Sequence, residues 1–290
     1  MKIVKFYGGL GNQLFQYAML VAQRETTGDE VRMDTSLYAT YNLHNGFELE
    51  KDFNITACKA TKNQIKKLSW YTENYVLYRT LHYLMPERRH EFKERKYGKY
   101  YPGVFSRGGD CLFDGYWQHW EYFDRYRDLL LQEFSLQEGL DARNAEMLAR
   151  MRGTNSCSVH VRRGDFLESR LYRNICEGDY YRRAIRLAKE KAGEDVQFYF
   201  FSNDFDWCRE NLGDLVEENR LCRIDWNKGA DSYKDMVLMS ACRTNVIANS
   251  SFSWWAAYLN QNEGKTVIAP EIWINKSTDN PVQMPGWIRI

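Results

Sequence analysis

The chain has 290 residues, enough for one large α/β domain or two domains of ordinary size. Its 44% hydrophobic and 27% charged composition is that of a globular protein, and no apolar run approaches the roughly eighteen residues that a membrane span needs. Net charge is +1 but unevenly spread: residues 59 to 107 carry 12 Lys and Arg against 4 Asp and Glu, a local +8 that leaves about −7 elsewhere.

Residues 1 to 6 run straight into a strand-like alternation with none of a signal peptide's regions, so the chain as given is expected to be cytoplasmic. A strand is predicted over 2–7, then a glycine turn and a helix over 13–26 whose Leu14, Ala18, Val21 and Ala22 share a face before Gly28 stops it. A second strand is predicted over 31–34. Residues 60 to 110 are aromatic and basic, with helical spacing only in places, and no element order is assigned there. A polar helix is expected over 141–151. From Ser156 onward, short apolar runs at 157–161, 196–201, 221–224, 244–248 and 266–269 alternate with helices after Asp179, after Asp204, over 232–242 and after Ser250. That alternation means βαβ units and a parallel sheet covered on both faces. The domain boundary is placed near Gly153, giving an N-terminal domain 1–152 and a C-terminal domain 153–290, with the tail after 270 expected to pack back on the first.

Four stretches carry candidate chemistry. In "HVRRGDF", residues 160 to 166, strand alternation puts His160 and Arg162 on one face and Arg163 on the other. One guanidinium then meets a phosphate or carboxylate while its neighbour ties down structure, with Asp165 orienting one of the two. An Arg–Asp pair that merely staples a loop is the plainer reading. In "NVIANSSFSWWAAYL" a strand ends at Asn249, and Ser250 and Ser251 open a helix with hydroxyls and N–H groups at its positive end, an anion site or simply a cap.

The turn "GGLGNQLFQYA" follows a strand, with Asp34 about twenty residues on, as in a dinucleotide fingerprint. Leu14 stands where that pattern wants Gly or Ala, so a nicotinamide-dependent oxidoreductase is kept only as a rival; Asn12 and Gln13 instead offer amides to a diphosphate or sugar. Asp204-Phe205-Asp206 matches a metal-binding D-x-D triplet, but Asp204 also suits a helix N-cap. Seven scattered cysteines without a C-x-x-C pair, and five histidines without ligand spacing, favour neither disulfides nor zinc.

Together "GGLGNQLFQYA", "GYWQHWEYF", "HVRRGDF" and "DMVLMSACRTNVIANSSFSWWAAYL" resemble the bacterial α-1,2-fucosyltransferases of glycosyltransferase family 11, from residue 3 to about 273 and weakly over 40–110. The resemblance implies a GT-B-like α/β architecture of two Rossmann-like domains with parallel sheets and the donor site in the inter-domain crevice. It implies GDP-fucose as donor, a galactose-terminated glycan as acceptor, inversion, and no cofactor or metal. Carried onto this chain, Arg162 grips the β-phosphate, with Asn249, Ser250, Ser251 and Phe252 beside it. His160 and Asp235 read guanine, and Gly11 and Asn12 face the leaving diphosphate or the fucose. Asp165 and Glu168 are both candidates for the base that takes the acceptor proton, although Glu168 lies outside the shared motif.

Other readings stay open: a different fucosyl linkage, or a non-catalytic module that binds glycan or nucleotide. No nucleic-acid motif accompanies the basic, aromatic region 59–107, whose charge is read instead as a means of peripheral contact with the inner membrane face.

Overall fold

A computed structural model describes residues 1–41, 43–276 and 282–290, and of Asp165 the backbone alone. It divides into two compact units, Met1–Glu138 and Gly139–Ile290. The division falls at 138/139 and not near Gly153, because the helix expected over 141–151 belongs to the second unit, where it packs against the helix carrying Asp235.

The first unit runs β1 (Lys2–Lys5), α1 (Leu10–Thr27), β2 (Val31–Asp34), α2 (Leu49–Asp52), α3 (Lys62–Leu68), α4 (Tyr75–Leu84), β3 (Glu91–Lys93), β4 (Cys111–Asp114) and α5 (Arg127–Glu133). Its four strands are all parallel, in the order β2-β1-β4-β3. Helix α1 starts at Leu10, earlier than expected, because Gly8 at φ +91° and extended Gly9 complete the chain reversal by themselves. A Cβ on Gly8 would come within 2.5 Å of the Asn12 side chain, so only glycine fits there. The helix is buried nearly all round through Gln23, with Gln13, Gln16 and Gln23 hydrogen-bonded inside, and it ends as expected at Gly28, left-handed at φ +68°, whose N–H donates to the Arg24 carbonyl.

The second unit runs α6 (Ala142–Gly153), β5 (Ser156–Val161), α7 (Asp165–Glu168), α8 (Gly178–Ala192), β6 (Gln197–Ser202), α9 (Phe205–Leu212), β7 (Leu221–Ile224), α10 (Tyr233–Ala241), β8 (Thr244–Val246), α11 (Ser251–Leu259), β9 (Thr266–Ala269) and β10 (Ile288–Arg289). Six parallel strands lie in the order β10-β9-β8-β5-β6-β7. β5 is buried along its whole length, as a strand covered on both faces must be. α8 presents Tyr180, Tyr181, Ala184, Ile185 and Ala188 to the core formed with Val159, Val161, Phe198 and Phe200.

The described part of the tail after Pro270 belongs to the second unit. Its described end forms β10 beside β9, while Trp254 Nε1 donates to Val282 O at 2.6 Å and Gln283 Nε2 to Pro270 O at 2.8 Å. An edge strand and buried hydrogen bonds hold it inside the second unit.

Candidate functional site

In the second unit the chain enters the sheet at β5, moves outward through β6 and β7, then crosses back to β8 on the other side of β5. The connections leaving β5 and β8 therefore diverge, opening the crevice at which α/β sheets bind ligands. Two of the motifs meet there: the register pairs Val159 with Val246, so His160 lies near the end of β5, the strand beside the segment leading to Ser250, and Arg162 follows just after it. The His160 ring of β5 and the Phe252 ring of α11 lie 5.8 Å apart.

One of the two arginines ties down structure. β5 ends at Val161, so strand alternation governs His160 but not the arginines. The Arg163 guanidinium lies 3.1 Å from Glu177 Oε2, 3.5 Å from Asp204 Oδ2 and 4.1 Å from the Trp207 ring, which makes it the structural member. Arg162 is half-buried, its guanidinium 5.4 Å from the Phe166 ring. Between them and α7, Gly164 takes φ +66°, and a Cβ there would fall 2.9 Å from the Asn203 amide. The side chain of Asp165 lies outside the described residues; Glu168 is exposed at the end of α7.

His160 is buried, and burial together with the charge of Arg162 pushes its pKa down to about 3, so the imidazole is neutral. Its Nδ1 has no hydrogen-bond partner among the described residues. A buried polar atom left unpaired beside a crevice is what a ligand would satisfy.

Ser250 caps α11, its Oγ accepting from Phe252 N at 3.3 Å, and Ser251 is the first helical residue. Asn249 serves differently: buried, its amide donates to Tyr172 O and Trp273 O at 3.3 Å each, tying the surrounding loops together. The D-x-D triplet starts a helix, since Asp204 Oδ1 accepts from Trp207 N at 3.1 Å and Asp206 pairs with Arg209 at 3.0 Å. Among the described residues no group of three or more His, Cys, Asp and Glu side chains is arranged to hold a metal ion.

Asp235 stands in the first turn of α10, which packs against α11. Burial lifts its carboxyl pKa to about 7 despite a hydrogen bond from Asn227 Nδ2 to its Oδ1 at 2.8 Å. Asn227 is fixed in turn by a reciprocal pair of 2.9 Å bonds with Asn144. Asn144 also donates to Asp141 Oδ2 at 2.7 Å and accepts from Trp226 Nε1 at 3.1 Å. Sequence reading missed Asn227 and Asn144, which lie 83 positions apart and belong to no motif; an asparagine just inside the Asp141 cap was the only local sign.

In the first unit the switch lies between β1 and β4. Asn12 Oδ1 accepts from Gln118 Nε2 at 2.8 Å, and the Tyr97 hydroxyl donates to Gln118 Oε1. Trp117 is left-handed at φ +57°, held by Glu94 Oε2, which accepts from Tyr116 N at 2.7 Å and Trp117 N at 3.1 Å. Gly11 is buried in the first turn of α1. Gln13 is not available to a ligand: its amide donates to Gly8 O and Gly46 O and accepts from Glu48 N.

Asp34 is fully buried with Oδ2 2.5 Å from Lys5 Nζ, so no carboxylate faces a ribose there, against the dinucleotide reading. It begins a buried row across the sheet, Asp34, Lys5, Asp114 and Lys93, whose signs alternate strand by strand. Burial pulls the Lys5 ammonium pKa down, but Asp34, Asp114 and Glu91 overcome it and leave it raised.

The family model described as Glycosyl transferase family 11 matches residues 1–290. The chain is 33% identical to "Alpha-1,2-colitosyltransferase" of Escherichia coli over 298 residues, 99% of this chain and 98% of that one. It is 28% identical to "Galactoside alpha-(1,2)-fucosyltransferase 2" of Rattus norvegicus over 266 residues, 87% of this chain and 65% of that one. Among solved structures, NodZ alpha-1,6-fucosyltransferase soaked with GDP-fucose matches with a TM-score of 0.54 at 15% identity, covering 89% of this chain and 92% of that one. That likeness concerns the fold alone, which is GT-B-like. With the family model matched from end to end and a 33% identical relative covered over nearly its whole length, the chain belongs to glycosyltransferase family 11.

Proposed function

We propose that this glycosyltransferase moves L-fucose from GDP-β-L-fucose to the 2-hydroxyl of a terminal galactose on an oligosaccharide, with inversion and without a metal ion. The reading is supported most by the β5–β8 switch point: β5 carries buried His160 with its unpaired Nδ1 and leads to Arg162, and the neighbouring β8 leads to the α11 N-terminus at Ser250–Ser251. The acceptor oxygen attacks the anomeric carbon from the face opposite the diphosphate. The bond from that carbon to the β-phosphate oxygen breaks, and GDP leaves with the electron pair. Arg162 and the α11 N–H groups take up the charge that develops on the leaving oxygen, preorganised stabilisation worth on the order of 10²- to 10³-fold in rate per donor. Asp235, once ionised, accepts from the N1–H and 2-amino group of guanine, with His160 beside the base. Asp165 or Glu168 takes the acceptor proton.

A second reading comes from the 33% identical relative named for colitosyl transfer: the same site would take a colitosyl donor. Fucose transfer to lactose and other galactose-terminated glycans, with excess EDTA and a colitosyl donor in parallel, separates the two. A 2-linked fucoside formed under chelation is expected. Turnover with the colitosyl donor alone moves the assignment to the second reading, and no turnover with either refutes the donor class.

A further inference from the structure

We propose that the outer face of α4, with the basic segments on either side of it, is a docking surface for an anionic lipid bilayer. Tyr78 is the one buried residue of this helix; Val76, Leu77, Tyr83 and Leu84 are between 48% and 81% exposed. Leu43 and Trp70, also exposed, extend the apolar set within the same unit. Single exposed aliphatics are ordinary, but six large apolar residues gathered on one short helix and its neighbours mark a contact surface.

The helix is held firmly enough to serve as one. Asn74 caps it by accepting from Leu77 N at 3.0 Å, and the Tyr78 hydroxyl donates to Asp114 Oδ1 at 2.6 Å. On that same inner face His82 Nδ1 lies 3.1 Å from Asp114 Oδ2, so the helix is pinned to the buried ionic row and turns its apolar side outward.

Charge selects the occupant. Lys66, Lys67, Arg79, Arg88 and Arg89 are exposed, and among the described residues no carboxylate forms an ion pair with any of them. Arg88 Nη1 donates to Lys66 O and Ser69 O, and its guanidinium lies 5.2 Å from the Trp70 ring, which brings the end of α3 beside the segment that follows α4. Residues 59–107 sum to +8, so two copies would repel at this face, whereas a bilayer rich in anionic lipid attracts every cation on it. Tryptophan, tyrosine and arginine beside aliphatic side chains is the composition that settles at a headgroup boundary. A groove of about 650 Å³ between Thr40, Leu43, Val76, Arg79 and Tyr83 offers space for a headgroup or the first part of an acyl chain. The contact is peripheral, since no helix among the described residues is long and apolar enough to cross a membrane.

The test is co-sedimentation of the full chain with vesicles of phosphatidylcholine alone and of phosphatidylcholine with phosphatidylglycerol, at low and high salt, and it reads binding independently of any transferase activity. Partition onto the anionic vesicles is expected to be at least about ten-fold stronger than onto the neutral ones, and to fall with salt. Arg79→Ser with Arg89→Ser is expected to weaken it about 25-fold, about five-fold for each cation. Leu77→Ser with Leu84→Ser is expected to weaken it at both salt concentrations, with an unchanged thermal melting curve showing that the fold survives. Equal partition onto both vesicles, or none onto either, overturns the proposal. So does sedimentation velocity showing a dimer that Leu84→Ser abolishes, because a second copy would then cover the face.

Discussion

A carboxyl whose pKa sits near 7 makes donor binding a proton-linked event. The proposed guanine contact requires the ionised form of Asp235, since only a carboxylate accepts from both N1–H and the 2-amino group. Free protein holds the proton up to about pH 7 because burial outweighs the bond from Asn227. The donor must therefore expel that proton, and apparent affinity should fall as pH drops: about two-fold below its limit at pH 7 and about ten-fold at pH 6. GDP-fucose is the ligand to use, because GDP carries its own phosphate ionisation near pH 6. Calorimetric titration at pH 6, 7 and 8, in two buffers of different ionisation enthalpy, reads affinity and proton release together. About half a proton should leave per donor bound at pH 7. Asp235→Asn should bind on the order of 10- to 100-fold more weakly, from the loss of charge-assisted bonds, and without pH dependence. The same group acts on stability in the opposite sense to an ordinary carboxylate. Its folded pKa is raised, so the folded state holds the extra proton between about pH 4 and 7, and stability falls as pH rises through that window. Constant affinity from pH 6 to 8 with no proton release would refute the assignment of Asp235.

The two arginines should separate cleanly. Arg162→Ala is expected to lower the transfer rate on the order of 10²- to 10³-fold with an unchanged melting curve. Arg163→Ala should lower stability by about 1–2 kcal/mol through loss of Glu177 and the Trp207 ring, read by urea denaturation. Asp34→Ala leaves the Lys5 ammonium buried without its nearest partner, and the first unit should lose about 3–5 kcal/mol; a cost below about 1 kcal/mol would mean that the row does not hold the sheet together. For the acceptor proton, either Asp165→Asn or Glu168→Gln should abolish the acidic limb of the pH–rate profile, and retention of that limb by both variants would remove both residues from the role.

The second unit was largely legible from its sequence because its strands obey one rule. β5 to β9 are each a short apolar run alternating with helices, and 221–224 and 266–269 coincide with β7 and β9. β3 escaped because Glu91 and Lys93 are buried charges: Lys93 belongs to a row assembled across four strands and Glu91 lies 3.8 Å from Lys93, a setting invisible in three residues. β10 is two residues long and exists only by pairing with β9. At the site, it followed from the residues that one arginine of the pair ties down structure. Its described partners did not: Glu177 and Asp204 come from the start of α8 and the cap of α9. Asp235 could be reached only through family resemblance, since the Asn227–Asn144 lock that positions it is formed between distant segments.

The most direct test is a crystal structure of the chain with GDP-fucose. The account predicts the β-phosphate within hydrogen-bond distance of Arg162 and of an N–H in the first turn of α11, with guanine against Asp235. A diphosphate bound instead at the Gly8–Asn12 turn, with the β5–β8 crevice empty, would contradict it.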